Sequence, residues 1–174
     1  MPDEVIRFLN LVPNGIYVDM TLGDGGHSAL ILEKLSHAGR LVAFDKDSQA
    51  IKRANERLKK FSEKKYDLVN EDFSSVKESL AELGINEVDG ILFDLGVSSR
   101  QLDEAGRGFS FSKEARLDMR MDLRNEVDAH KLVNELPFED LYRIIKVYGE
   151  ERFAKRIARN IINKRTLFTI ISHA

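Results

Sequence analysis

The chain has 174 residues, 43% of them hydrophobic, with a formal net charge of −2, four histidines and no cysteine. That length suits one ordinary domain with a real core. The missing cysteines exclude disulfides, zinc–thiolate sites and thiol nucleophiles. The near-neutral charge gives no global attraction to nucleic acid, so any such binding must use a local patch.

No apolar run approaches the roughly 18–20 residues of a membrane span. The acidic N-terminus lacks the basic-then-apolar layout of a signal peptide. A cytoplasmic protein with no membrane partner is expected, and the scattered histidines give no metal site.

Residues 3–12 predict a short helix with Val5, Ile6, Phe8, Leu9 and Val12 on one side. Pro13-Asn14-Gly15 breaks it. Ile16, Tyr17 and Val18 then read as a buried strand closed by Asp19, followed by Gly23, Gly25 and Gly26 and a helix to about Leu35. Strand, glycine turn and helix form the first unit of a nucleotide-binding fold. Gly23 and Gly25 fit the dinucleotide fingerprint, but its third glycine is replaced by Ser28. Asp19 and Asp24 in this loop would repel a pyrophosphate. A carboxylate-lined loop suits a cationic, phosphate-free cofactor, S-adenosylmethionine (SAM). A plain tight turn is the competing explanation.

Arg40–Asp45 predicts a second strand, and Asp45 at its end has the position of a ribose-binding carboxylate. Asp47 alone could cap the helix that follows over Ser48–Phe61. Tyr66–Asn70 is a third strand leading to Glu71-Asp72-Phe73-Ser74. Asp72 and Phe73 suit an adenine subsite by hydrogen bond and stacking, or else a helix cap and a core residue. Val76, Leu80 and Leu83 carry a third helix to Gly84. Val88–Asp94 is a fourth strand, followed by the turn Leu95–Ser99.

Alternating strands and helices predict a doubly wound parallel α/β sheet. Asp19, Asp45, Asp72 and Asp94 all fall at carboxyl ends of strands, where such sheets bind ligands. The fourth strand would present an open edge. Residues 166–172, the insertion that follows or a second copy (a homodimer) are candidates to cover it.

After Ser99 the alternation stops. Residues 100–122 read as an irregular loop whose length implies function. Helices are expected over 128–135, 138–148 and 150–163, the last with Phe153, Ile157 and Ile161 on one stripe. Six basic residues and no acid lie between Arg152 and Arg165. This run is either a solvated face or a phosphate-contacting one. The domains are thus 1–99, a nucleotide-binding half, and 100–174, a loop with a helical insertion.

Gly25-Gly-His-Ser28, Asp94-Leu-Gly-Val-Ser-Ser99, Arg107-Gly-Phe-Ser-Phe111, Leu117-Asp-Met-Arg-Met-Asp122 and Gly149-Glu-Glu-Arg-Phe-Ala154 together resemble the RsmH (MraW) family of small-subunit ribosomal RNA cytosine-N4 methyltransferases. The resemblance runs along nearly the whole chain. It implies a Rossmann-like SAM-dependent methyltransferase sheet, here its first half, with a helical substrate-recognising insertion. It implies 16S rRNA or the small ribosomal subunit as partner and the exocyclic amine of a decoding-region cytosine as target. The family's cofactor contacts fall on Gly25, Gly26, His27, Asp45, Phe73, Asp94 and Gln101. Asp94 is the catalytic candidate by position. Phe109 and Phe111 are candidates to stack on RNA bases, and Arg152, Lys155, Arg156 and Arg159 to meet phosphates.

The chain departs from the family in starting after a His-x-Pro-Val segment and in closing before the later strands, so it reads as C-terminally truncated. Lys113-Glu-Ala-Arg116 replaces the family's Asp-Gly-Pro link. A fragment that binds SAM or RNA without turnover is the alternative function. An NAD-dependent oxidoreductase is a third possibility, and Ser28 speaks against it.

Overall fold

The computed structural model describes residues 2–61 and 65–172. Cα proximity divides the chain into two compact units, Met1–Gly96 and Val97–Ala174.

The first unit holds helices α1 (Pro2–Leu9), α2 (Gly26–Lys34), α3 (Ser48–Leu58) and α4 (Val76–Glu82). Its strands are β1 (Ile16–Asp19), β2 (Arg40–Phe44), β3 (Tyr66–Val69) and β4 (Gly90–Leu92). The strands are all parallel, as the α/β alternation predicts, and lie in the order β3-β2-β1-β4.

Alternating side chains divide the core. Tyr17, Leu41, Ala43 and Tyr66 pack with Ile31, Leu32, Ala54 and Leu58 of α2 and α3. Val18, Met20, Val42 and Phe44 face the opposite side, where Val76 and Leu80 of α4 cover them. β1 and β2 are the inner strands and the most completely buried.

Two details of this unit differ from the expectations. Phe8 is 77% exposed and Val12 52%, while Ile6, Leu9 and Leu11 pack against the core. The helix is shorter than its apolar run, so its inner face is narrower. The fourth strand spans only three residues, because Phe93 and Asp94 already turn out of the ladder. Among the described residues β4 pairs only with β1, and its Ile91 is 44% exposed.

The second unit contains α5 (Ser99–Asp103), α6 (Ala129–Glu135), α7 (Phe138–Arg143) and α8 (Ala154–Arg165), with a 3-10 turn at Ala105–Arg107 and a π turn at Ile144–Tyr148. The stretch expected to be irregular therefore begins with a helix. A capping box starts it: Ser98 Oγ accepts from Gln101 N, and Gln101 Oε1 accepts from Ser98 N.

Beyond it, ion pairs fix the loop. Arg120 spans both oxygens of Asp118, Arg124 those of Asp122, and Arg116 reaches Asp128 at 2.6 Å. Buried Arg107 donates to the carbonyls of Arg120 and Met121.

In α8 the buried residues are Ala154 and Ala158, not the expected stripe. Phe153 is 43% exposed and Ile157 36%. The two alanines allow α8 to approach its neighbours closely, which a larger residue there would prevent. Residues 166–172 form neither a strand nor a helix tail. Ser172 makes a single antiparallel bridge to Arg116, and Ile170 exchanges two bonds with the Asn134 side chain. The closing His173 and Ala174 lie outside the described residues.

Candidate functional site

The site is built at the carboxyl ends of the strands, starting from the turn after β1. Met20 N bonds the Leu92 carbonyl on one side and Leu22 N the Phe44 carbonyl on the other. The chain is thus stitched to both neighbours before it enters the glycines. Gly23 (φ +50) and Gly25 (φ +75) take left-handed conformations that side chains resist. A Cβ on Gly25 would also lie 3.2 Å from the Ala54 Cβ, so glycine is required there by packing as well. Gly25 is the residue before α2, and His27 and Ser28 stand in the helix's first turn.

Asp45 follows β2 and turns toward this loop. Its Oδ2 accepts from Gly23 N at 2.9 Å and its Oδ1 from Asp47 N at 2.8 Å. Burial raises its pKa, opposed by these two bonds. Asp47 caps α3 by accepting from Gln49 N. The helix cap and the site position thus belong to different residues, and each oxygen of Asp45 keeps acceptor capacity for a ligand hydroxyl.

Of the two acids expected to repel phosphate, neither presents a free charge. Asp24 pairs with Arg53 at 2.7 Å. Asp19 is fully buried and accepts from Thr21 N at 3.0 Å and Ser28 Oγ at 2.7 Å. Desolvation raises its pKa, which the Ser28 bond counters most strongly. The anionic character of the site rests on Asp45 and Asp94 instead.

Asp94 follows β4. Its side chain is 66% exposed, and its Oδ2 lies 3.7 Å from His27 Nδ1. Its backbone N–H is held by the Thr21 hydroxyl at 2.8 Å. Phe73 follows β3, 39% exposed, in the 3-10 turn capped by Asp72. Asp72 accepts from Ser74 N, and that bond lowers its pKa, with Lys46 at 3.5 Å helping. Gly25, Gly26, His27, Asp45, Phe73 and Asp94 therefore all belong to the carboxyl-end face of the first unit.

The remaining expected residues belong to the second unit. Gln101 is 7% exposed and its side-chain carbonyl is engaged in the capping box. Phe111 is 92% exposed and Phe109 half-buried. Arg152 and Arg156 both stand over the Phe153 ring, at 4.5 and 4.6 Å. Lys155 and Arg159 are exposed on the outer side of α8, away from Ala154 and Ala158. Among the described residues no group of acids and histidines could hold a metal, and no helix is long and apolar enough to cross a membrane.

Sequence reasoning missed the parts played by Thr21 and Ser28. An Asp-x-Thr at a strand end is an Asx-turn signal and could have found the first. Ser28 was legible only as a missing glycine.

The chain is 52% identical over 164 residues to ribosomal RNA small subunit methyltransferase H of Clostridium botulinum (strain Kyoto / Type A2), a match covering 94% of this chain and 52% of that protein. It is 54% identical over 165 residues to the protein of the same name from Geotalea daltonii, covering 95% and 53%. The chain thus spans about half the length of the curated relatives it matches. A solved rRNA methylase from Streptococcus thermophilus matches 66% of this chain and 69% of its own at 22% identity and a TM-score of 0.47, a likeness too limited to bear on function. The family model described as the MraW methylase family matches residues 1–173, and the chain belongs to that family.

Proposed function

We propose that this chain is the cofactor-binding part of a SAM-dependent methyltransferase that N4-methylates a cytosine in the decoding region of 16S rRNA. The match of residues 1–173 to the MraW methylase family carries the reaction class. The names of the relatives support ribosomal RNA as substrate. The geometry of the first unit supports the cofactor: Asp45 stands bonded to the glycine loop through Gly23 N.

The residues fit SAM. Asp45 would accept the ribose hydroxyls. Gly25 and Gly26 would let the backbone come close, and Phe73 would take the adenine. Arg53, the cation beside Asp24, is engaged by that acid at 2.7 Å. When bound, SAM supplies an electrophilic methyl on a sulfonium.

The chain's own residues then orient the acceptor. A cytosine amine is a weak nucleophile, because its lone pair is delocalised into the ring. Holding it in line supplies much of the rate. The exposed Asp94 carboxylate, with the carbonyls of Leu95 or Gly96, would accept the amine hydrogens and take the proton released on transfer. The base leaves its stack to reach this face, with Phe109 and Phe111 as candidate stacking partners. Arg152, Lys155, Arg156 and Arg159 would hold RNA phosphates. Gln101 would act on the cofactor through its side-chain amide. Residues 1–99 would form the cofactor domain and 100–174 the substrate-recognising part, in a cytoplasmic protein.

Calorimetric titration with SAM, with NAD as control, tests the cofactor. Saturable SAM binding with none for NAD is expected. Failure of a folded chain to bind SAM would refute the proposal. Transfer of labelled methyl to 16S rRNA or small subunits, mapped to cytosine N4, tests the reaction.

A further inference from the structure

Phe73 and Phe93 meet with ring centroids 5.9 Å apart and planes at 81°. This contact is unexpected from the topology. Phe73 follows β3 and Phe93 follows β4, the two outer strands of the sheet. Three strand spacings, about 14 Å, separate those positions in the ladder. Both side chains must lean inward across the carboxyl ends of β2 and β1 to touch. Asp45 and the glycine loop leave the sheet from those same two ends.

The rings also stay open. Phe73 is 39% exposed and Phe93 51%, whereas Phe44 at the end of β2 is fully buried. At 5.9 Å the rings are in direct contact, so no planar ligand fits between them. The near-perpendicular planes instead form a two-walled corner. A flat heterocycle stacked on the face of one ring is met edge-on by the other, the two geometries aromatic groups favour. Phe93 offers no hydrogen bond, so the corner can take a flat ring only by stacking and edge contact. It also stands directly before Asp94 in the chain.

We infer that Phe93 is the second wall of the adenine subsite and fixes the purine by edge or face contact opposite Phe73. The inference rests on the SAM-binding reading above and assigns it a further specificity-determining residue.

The test is calorimetric titration of the whole chain and of Phe93→Ala, Phe93→Leu and Phe93→Tyr with SAM and with adenosine, each variant checked by circular dichroism and thermal melting. Phe93→Ala is expected to weaken both ligands by the same factor, about tenfold, as for loss of one base–aromatic contact. Phe93→Tyr should bind like the original chain. Phe93→Leu, which keeps apolar bulk but no ring, should behave like the alanine variant. Equal SAM affinity in all four folded proteins would overturn the inference while leaving SAM binding intact, as would recovery by leucine. Absence of SAM binding by the original chain would overturn both. A variant that loses SAM affinity but keeps adenosine affinity would move Phe93 away from the purine and refute the assignment.

Discussion

Ser28→Ala removes one hydroxyl from a place with no access to water. Ser28 and Asp19 are both fully buried, and the Ser28 hydroxyl donates to Asp19 Oδ2 at 2.7 Å. The other donors, Thr21 N at 3.0 Å and Thr21 Oγ1 at 3.5 Å, both serve Oδ1. A hydrogen bond to a charged group contributes about 1.5–3 kcal/mol, and a neutral one about 0.5–1.5 kcal/mol.

The sign with pH follows from the raised pKa of Asp19. The folded chain takes up this proton more readily than the unfolded one. Stability therefore falls as pH rises from the ordinary 3.8 through the folded value. Losing the Ser28 donor lifts the folded value further and extends that window upward. The variant's deficit should thus be about 1 kcal/mol where Asp19 is protonated and about 2–3 kcal/mol where it is charged. Urea unfolding followed by circular dichroism, from about pH 4 to about pH 9, measures it. A deficit that is the same at both ends, or below about 0.5 kcal/mol throughout, would refute a charged Asp19 anchored by Ser28.

Three other outcomes are expected. Asp94→Asn should lower methyl transfer to small-subunit rRNA by about a hundredfold; full turnover by that variant would remove Asp94 as the required carboxylate. Gly25→Ala places a side chain at φ +75 and 3.2 Å from the Ala54 Cβ. It should cost about 1–2 kcal/mol in thermal unfolding and weaken SAM in calorimetry. Replacing Lys155, Arg156 and Arg159 with glutamine should flatten the salt dependence of RNA binding by about two in log–log slope, read by fluorescence anisotropy; an unchanged slope would show that α8 does not meet phosphates.

The first unit was legible in sequence because its signals are local. Strand residues, glycines and acids recur in a fixed order, and alternation with helices makes the strands parallel. The placing of Asp45 and Asp94 at strand ends follows from that pattern. What stayed hidden depends on contacts across the sheet. The retirement of Asp19 and Asp24 from the ligand face depends on Ser28 and Arg53, and no local pattern announces either pairing. The meeting of Phe73 with Phe93 is likewise a property of the folded sheet. In the second unit the pattern was weaker. Apolar periodicity pointed to Phe153 and Ile157 as the inner stripe of α8, but close packing selected Ala154 and Ala158. The loop at 107–128 gave no periodic signal, because paired arginines and aspartates order it rather than an apolar face.

The bond from Asp94 N to the Thr21 hydroxyl joins residues 73 positions apart, whereas Asp45 reaches Gly23 across only 22. Closing the longer loop carries the larger entropy cost and needs β4 already docked on β1. Asp45 is positioned by the pairing of β1 with β2, and Asp94 by that of β1 with β4. Without the second pairing the glycine loop and Asp45 would stand without Asp94. A ligand that touches both acids would bind only when both pairings are made, and so would favour them by mass action.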